Sequence, residues 1–516
     1  MPWNFVECDR EQVFLLPPDV RDWLPADHLV WLVLDAVAGM DLSPFYAAYR
    51  RDGHGRPAYD PAMLVALLLY AYSRNVRSSR VIERECLEDI AYRVIAMNER
   101  PDHSTIARFV ARHEEALAGV FSSVLGVCAR AGLVKPEVIA VDGSKVPAAA
   151  NDERMLDFGQ LAREIIADAK RIDAEEDELY GDRRGDELPP ELSTPEGRRV
   201  WLAEAMREIA EEQQQAEADD DHGRAGQEPA FKFEVVEGLL VARNQGRRGW
   251  LREGRRQLDR HRVRHPRPVP RSRRARMLEG ARQLDEELDA ERQANEAYER
   301  YRARGRMKDG RRFGGPPKPY RPPELPAGKI NVTDPDSRLL KASKGYVQGY
   351  NAQLVTTKDQ IVIAAEITAT PADFGQLGPM VQAARAELEH AGVTEKPSLA
   401  LADSGYWHHD QMDALAADGI ATLIPPDAAN RQGNRPGWEG GRYRWMRNLL
   451  STELGSQLYQ CRQWMIEAVI GHIKHNRGMG QFRRRGRSAV RTELRLIAAS
   501  HNLTKLHRHQ IALAAN

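Results

Sequence analysis

The sequence has few of the features that would place it outside a reducing, aqueous compartment. Its four cysteines (Cys8, Cys86, Cys128 and Cys461) are scattered with no C-x-x-C pair, and no histidine cluster has zinc spacing. Neither a disulfide framework nor a structural zinc site is suggested, and the thiols read as buried or incidental. The longest apolar run, Ala62 to Tyr72, is eleven residues, against the roughly eighteen needed to cross a bilayer. The first residues, Met1-Pro2-Trp3-Asn4-Phe5-Val6-Glu7, lack the basic-then-apolar layout of a secretory signal. A soluble cytoplasmic protein without a membrane partner is expected. Net charge is missing too, since 75 Lys+Arg face 75 Asp+Glu. A zero sum argues against a polyanion partner only when the charges are evenly mixed, and here they stand in blocks. Eight acidic residues accompany one Arg between Glu204 and Asp221, and fourteen Arg accompany two acidic residues between Arg243 and Arg276. From Lys474 to Arg508 there are ten Lys+Arg and one Glu, a composition that suits phosphate backbones or a solvated basic helix.

A chain of 516 residues suggests roughly three domains. Residues 58 to 135 read as helices. Ala62, Met63, Leu64, Ala66, Leu67, Leu68 and Tyr70 make one helix apolar on nearly every side, and Asp102 offers an N-cap ahead of Ser104-Thr105-Ile106-Ala107-Arg108-Phe109. This helix, with Arg108 on its outer face, suits either DNA recognition or plain solvation in a helical bundle. Val138-Ile139-Ala140-Val141 then reads as a strand ending at Asp142. Residues 151 to 330 are charged and helix-forming, interrupted by Pro266, Pro268 and Pro270. They read either as a solvated spacer or as a helical subdomain that binds DNA or pairs two protomers. Beyond them, Gly345 to Val355 and Gln360 to Ile367 make a hairpin turned near Thr357-Lys358-Asp359. A helix (Gly375 to Ala391), a strand (Ser398 to Ala402) ending at Asp403, a helix (His409 to Ala417) and a strand (Ile420 to Ile424) follow. Residues after Pro425 read as loop until a long helix from about Leu458 to Asn476. The order predicts an α/β fold, a mixed sheet with helices on its faces.

Strand ends carry chemistry in α/β sheets because side chains there leave the core while the backbone stays fixed. Asp142 and Asp403 occupy such ends, and Glu467 lies between apolar Met465-Ile466 and Val469-Ile470. Three carboxylates brought together suit two divalent cations acting on an in-line phosphoryl displacement, with hard oxygen ligands favouring Mg²⁺ or Mn²⁺. Singly, each has another reading: Asp142 and Asp403 as caps or turn formers, Glu467 as the partner of a buried Arg. Glu467 and Lys474 are seven residues apart, within about 20° of one face of a regular α-helix, so both face one phosphate.

These residues resemble the DDE transposases of bacterial insertion sequences, in the RNase H-like superfamily. The motifs are Val141-Asp142-Gly143-Ser144-Lys145, Val347-Gln348-Gly349-Tyr350-Asn351-Ala352-Gln353, Leu401-Ala402-Asp403-Ser404-Gly405-Tyr406-Trp407, and Tyr459-x-x-Arg462 followed by Ile466-Glu467 and Ile473-Lys474-His475-Asn476-Arg477-Gly478. The run Asp52 to Pro61 and Pro101 to Ile106 resemble the helical domain that precedes the core in these proteins. The resemblance implies an RNase H-like core with an all-α N-terminal domain (1–135), a first core strand (136–150), a charged insertion (151–330), the rest of the core (331–480) and a basic C-terminal helical segment (481–516). It implies that Asp142, Asp403 and Glu467 bind Mg²⁺ or Mn²⁺, as two ions, and that Tyr459, Arg462 and Lys474 hold DNA phosphates, with Arg477 extending the basic surface. Four residues separate Arg462 from Glu467, one more than the commonest form of that signature. Tyr406 and Trp407 suit stacking on a base; a core role for Trp407 is equally open.

The implied activity is cutting and rejoining of double-stranded DNA at terminal inverted repeats, with strand transfer into target DNA by a homodimer in the bacterial cytoplasm, associated with the nucleoid. The alternatives are a catalytically inactive DNA-binding remnant, a general RNase H-like nuclease, and an Arg-rich helical scaffold indifferent to metal.

Overall fold

The computed structural model describes residues 20–49, 58–151, 154–180, 200, 230–235, 246–307, 310–315, 317–342, 345–428, 433 and 437–514. Cys8, residues 52–57 of the first N-terminal motif, the acidic run 204–221 and Arg243 lie outside them.

After a 3-10 turn (Val20–Trp23) the described chain continues with seven α-helices: α1 (Leu29–Ala38), α2 (Ser43–Tyr46), α3 (Pro61–Ser73), α4 (Ser79–Glu88), α5 (Ile90–Ala96), α6 (His103–Arg112) and α7 (Glu114–Arg130). The Asp60 carboxylate caps α3 by accepting from the Ala62 N–H, with Pro61 in the first turn, where a missing N–H costs nothing. Nearly all of α3 is buried, as its all-round apolar sequence requires. Asp102 caps α6 as expected, accepting from the Ser104 and Thr105 N–H groups.

The sheet begins with β1 (Val138–Pro147), a longer strand than the apolar run suggests. A long segment follows before its neighbours in the sheet arrive. It holds β2 (Met155–Asp157), α8 (Phe158–Tyr180), α9 (Arg247–Arg264), α10 (Arg273–Ala303) and β3 (Lys329–Asn331). Much of its described part is helical, with the three prolines between α9 and α10. Phe158, Leu161 and Ile165 of α8 pack on Met277, Leu278 and Leu284 of α10. Trp250 of α9 packs on Tyr298 and Tyr301, and a Cβ on Gly254 would come within 2.9 Å of the Ala290 carbonyl, so the two helices cross closely.

Next come β4 (Arg338–Ala342), β5 (Gly345–Thr357), β6 (Val362–Thr368), α11 (Leu377–His390), β7 (Leu399–Leu401), α12 (His409–Ala417) and β8 (Ala421–Leu423). β5 pairs antiparallel with β1 along one side and with β4 and then β6 along the other, while β7 joins β1 in parallel and β8 joins β7 in parallel. This is an RNase H-like mixed sheet, with the long charged segment inserted between its first two strands. Gly349 is required there, because a Cβ would stand 2.1 Å from the Val146 carbonyl oxygen of the neighbouring strand.

Two expectations need correction. Part of the stretch after Pro425 is helical, as α13 (Gly441–Ser451). Its apolar positions Tyr443, Met446, Leu449 and Leu450 fall on one face toward the main core, hidden in the sequence among arginines. The C-terminal segment is largely interior and not a wholly solvated basic surface, although Arg483, Arg485 and Arg508 stay exposed. After α14 (Glu453–Arg462) and its continuation to residue 476, α15 (Arg487–Ala514) runs through the core against α3, α7 and β6. Its charges are met inside: Arg487 by Asp259, Arg491 by Glu366, and Arg495 by Glu366 and Glu387. Fully buried Glu493 accepts from Arg77 and from the Arg483 and Arg484 backbone N–H groups. The Asn502 amide bonds both the N–H and the C=O of Val362 at 2.9 and 2.8 Å, so α15 covers β6 where the sheet would present an open edge. One continuous hydrophobic core joins the N-terminal helices, the sheet and α15.

Candidate active site

The acids meet where the parallel pairing of β1 and β7 runs out. That ladder stops at Ala140 and Leu401, while β1 continues along β5. Asp142 therefore sits within β1, two residues beyond the last residue paired with β7, and Asp403 stands two residues beyond the end of β7. The expectation that both end their strands is corrected for Asp142: the parallel ladder ends there and the strand does not. Asp142 Oδ1 accepts from the Gly143 N–H at 2.8 Å, and Asp403 Oδ1 from the Gly405 N–H at 2.8 Å, which caps a single 3-10 turn (Ser404–Tyr406). Burial pushes the Asp142 carboxyl up to about 6, with Asp403 and Asp373 adding to the rise while Arg462 and the Gly143 N–H oppose it. The Asp403 pKa is raised as well, first by burial and then by Asp373.

The third acid lies on the helix that continues from α14. Its hydrogen bonding switches to a π turn at Gln463–Glu467, returns to α at Ala468–Gly471, and is π again at His472–Asn476. The first π turn absorbs the extra residue of the Arg462–Glu467 spacing: π geometry brings i and i+5 onto one face, where a regular helix would bring i and i+4. Arg462 reaches Glu467 Oε1 at 2.5 Å and Asp142 Oδ2 at 3.0 Å, bridging the two acids with its side chain largely buried. Carbonyls in the turn are served by the hairpin: Thr356 Oγ1 donates to the Met465 C=O at 3.1 Å and Gln360 Nε2 to the Trp464 C=O at 2.6 Å. The α-helical phase linking Glu467 to Lys474 does not apply across these π segments.

Lys474 Nζ donates to the Lys145 carbonyl at 3.2 Å, and its pKa is lowered by burial and then by Lys145. Tyr459 lies beside Arg462, whose guanidinium is 5.9 Å from its ring, and burial raises its phenol. Arg108 is exposed on α6. Three residues expected to touch DNA are instead interior. Tyr406 is fully buried and donates to Gln353 Oε1. Trp407 is 4% exposed and stacks on Tyr443, 5.1 Å between ring centres. Arg477 is 7% exposed and donates to the Tyr72 carbonyl and Ser500 Oγ, both at 2.7 Å, pinning the long helix to α3 and α15. Each is held by partners distant in sequence, Gln353 for Tyr406, Tyr443 for Trp407, and Tyr72 and Ser500 for Arg477, so no local pattern marks its burial.

One acid was not marked by any motif. Asp373, in the irregular segment after β6, pairs with Lys145 Nζ at 2.8 Å and accepts from Asn351 Nδ2 at 2.7 Å and Gln353 Nε2 at 2.8 Å. This cluster covers Gly143, whose Cβ would meet Gln353 Nε2 at 2.1 Å and Asp373 Oδ1 at 2.7 Å. The available signal was Asn351-x-Gln353: two amides two apart on one strand point to the same face, and buried amides need an acceptor there.

The donor set fits a hard cation at Asp142 and Asp403, two carboxylates whose burial and mutual repulsion such a charge relieves. Among the described residues no three acidic, histidine or cysteine side chains converge as a ligand group; Arg462 stands between Asp142 and Glu467.

A model described as "Transposase domain (DUF772)" matches residues 18–112, and one described as "Transposase DDE domain" matches residues 327–503. The chain belongs to the DDE transposases. Asp403 and Glu467 of the transposase lie inside the second match, while Asp142 and most of the insertion lie between the two. No curated protein and no solved structure matches the chain. Among the described residues no helix of this transposase is long and apolar enough to cross a membrane.

Proposed function

We propose that this transposase cuts and rejoins double-stranded DNA at the ends of an insertion sequence, with Asp142, Asp403 and Glu467 as its catalytic acids and with Mg²⁺ or Mn²⁺, as two ions, held by them. The observation that carries the reading is the placement of Asp142 and Asp403 on neighbouring parallel strands at the end of their ladder, both destabilised as carboxylates, with Glu467 tied to Asp142 through Arg462. Divalent cations supply Lewis-acid activation of the attacking oxygen and stabilise the leaving oxygen. In the first step a water oxygen bonds to phosphorus at the element's end, the bond to the 3′ oxygen breaks, and a proton goes to that oxygen to give a 3′-OH. In the second step this hydroxyl oxygen bonds to a target phosphorus, the bond from that phosphorus to its 3′ oxygen breaks, and the hydroxyl proton goes to the displaced oxygen.

Half-buried Lys474, with Tyr459 and Arg462, holds a phosphate at the acids, and the exposed α6 face with Arg108 contacts duplex DNA. Two ends cut in concert suit a homodimer. The test is strand cleavage with Mg²⁺ or Mn²⁺ of duplexes carrying the inverted repeats that flank the reading frame. The expected result is cleavage that frees a 3′-OH and depends on the repeat. Cleavage of any sequence alike returns the general nuclease, and none with either metal returns the inactive remnant.

A further inference from the structure

The insertion touches the acid site through a segment that has no ladder of its own. Residues 369–376 follow β6 and precede α11 without belonging to strand or helix, so their position is set by what side chains hold them. On one side α9 does this. Asp259 Oδ2 accepts from Thr368 Oγ1 at 3.1 Å and Thr370 Oγ1 at 3.3 Å, while its Oδ1 meets Arg487 at 2.6 Å. One turn earlier on the same face, the Arg256 guanidinium lies 5.0 Å from the Phe374 ring centre, and Phe374 stacks on His408 at 4.7 Å. Asp373 stands between these anchors and takes up the Lys145 ammonium.

We propose that helix α9 of the insertion is a positioning element of the acid site: Arg256 and Asp259 fix the segment through 374, and that segment holds Asp373 on Lys145, Asn351 and Gln353 beside Asp142. The proposal rests on the function proposed above. With Asp373 in place the Lys145 charge is spent on it, and Asp142 and Asp403 keep a deficit of positive charge that a cation fills. With the segment loose, Lys145 is released toward the acids and competes for them. Asp373 is thus a positioning residue, and the insertion acts through it.

Removing Asp259 would leave Arg487 unpaired in the core, so the test loosens the segment from its other contacts. The transposase carrying Arg256→Met and Thr370→Val is compared with wild type for Mn²⁺ affinity by calorimetry, for DNA Kd, and for single-turnover cleavage of the flanking-repeat duplex. The expected loss is about tenfold in Mn²⁺ affinity and in cleavage rate, the scale of one lost charge-assisted contact, with DNA Kd within about twofold. Independent sites give multiplying effects. Here the same two substitutions made on Asp373→Asn lower neither quantity further. Unchanged Mn²⁺ affinity, a loss confined to DNA Kd, or multiplying effects on Asp373→Asn would overturn the proposal. Thr370→Val alone carries the same comparison should the double variant not fold. Asp142→Asn serves as reference: cleavage surviving there overturns the reading of the site, whereas cleavage lost there but intact in Arg256→Met/Thr370→Val overturns only the role of α9.

Discussion

The acid site and the C-terminal helix are both dense in charge, and they treat it in opposite ways. Along α15 and its approach, every arginine from Arg484 to Arg495 finds a carboxylate or carbonyl within the protein, and Glu493 gathers three donors with no exposure at all. At the sheet, the Asp142 pKa is raised by burial and by Asp403 and that of Asp403 by burial and by Asp373, while Arg462 bridges Asp142 to Glu467 and Lys145 is diverted to Asp373. Charge balanced inside the fold is tolerated while its partners are complete, and removing one partner strands the other at a large cost. Charge left in excess inside the fold costs stability and is available to something that binds.

That contrast can be broken most forcefully at the acids. Asp142→Asn, Asp403→Asn or Glu467→Gln is expected to lower strand cleavage by at least about a thousandfold, the scale for losing a preorganised electrostatic group, while thermal stability holds or rises and DNA Kd stays within about twofold. A fall in melting temperature comparable to that of a core variant would put these acids in the class of α15. The opposite pattern is expected from Glu493→Gln or Arg495→Leu, each stranding a buried charge at a cost of about 3–5 kcal/mol, measured by denaturant unfolding.

The pH dependence of stability sharpens the comparison. The folded Asp142 carboxyl titrates at about 6 against an ordinary 3.8, so the folded state holds its proton more tightly than the unfolded chain. Its contribution is most favourable below the unfolded value and is lost as pH rises through the folded one. Between about pH 4 and pH 6 this loss is of order 3 kcal/mol, at about 1.4 kcal/mol per unit, and Asp142→Asn should flatten it. A wild-type profile that rises across that window to the same extent as the variant's contradicts the assignment. The smallest effect is expected at Arg477. Arg477→Met strands the Tyr72 carbonyl and Ser500, costing about 1–3 kcal/mol, with no change in the salt dependence of DNA binding; a shallower salt slope would return Arg477 to the DNA surface.

Much of the core was legible because its signals are local. The apolar run to Val141, the hairpin around Lys358, and the strands that end at Asp403 and before Pro425 each declare themselves within about ten residues. Asp142, Asp403 and Glu467 stand out as candidates for the same reason, as acids set against apolar sequence. What was hidden depends on partners far along the chain. The basic run from Lys474 reads as a phosphate surface until Glu366, Glu387, Glu114 and Asp259 are seen to meet it. Asp373 lies 228 residues from the lysine it holds. The π turn at Gln463–Glu467 is invisible to a 3.6-residue period, although the extra residue between Arg462 and Glu467 was its trace.

The sheet-end acids are proposed to hold charge in excess for a cation from outside. Calorimetric titration of the transposase with Mn²⁺ tests this without DNA. Wild type should bind, and the Asp142→Asn/Asp403→Asn variant, folded and at least as stable, should lose that binding by a hundredfold or more, about 2.7 kcal/mol. Equal Mn²⁺ affinity in the two proteins would contradict it.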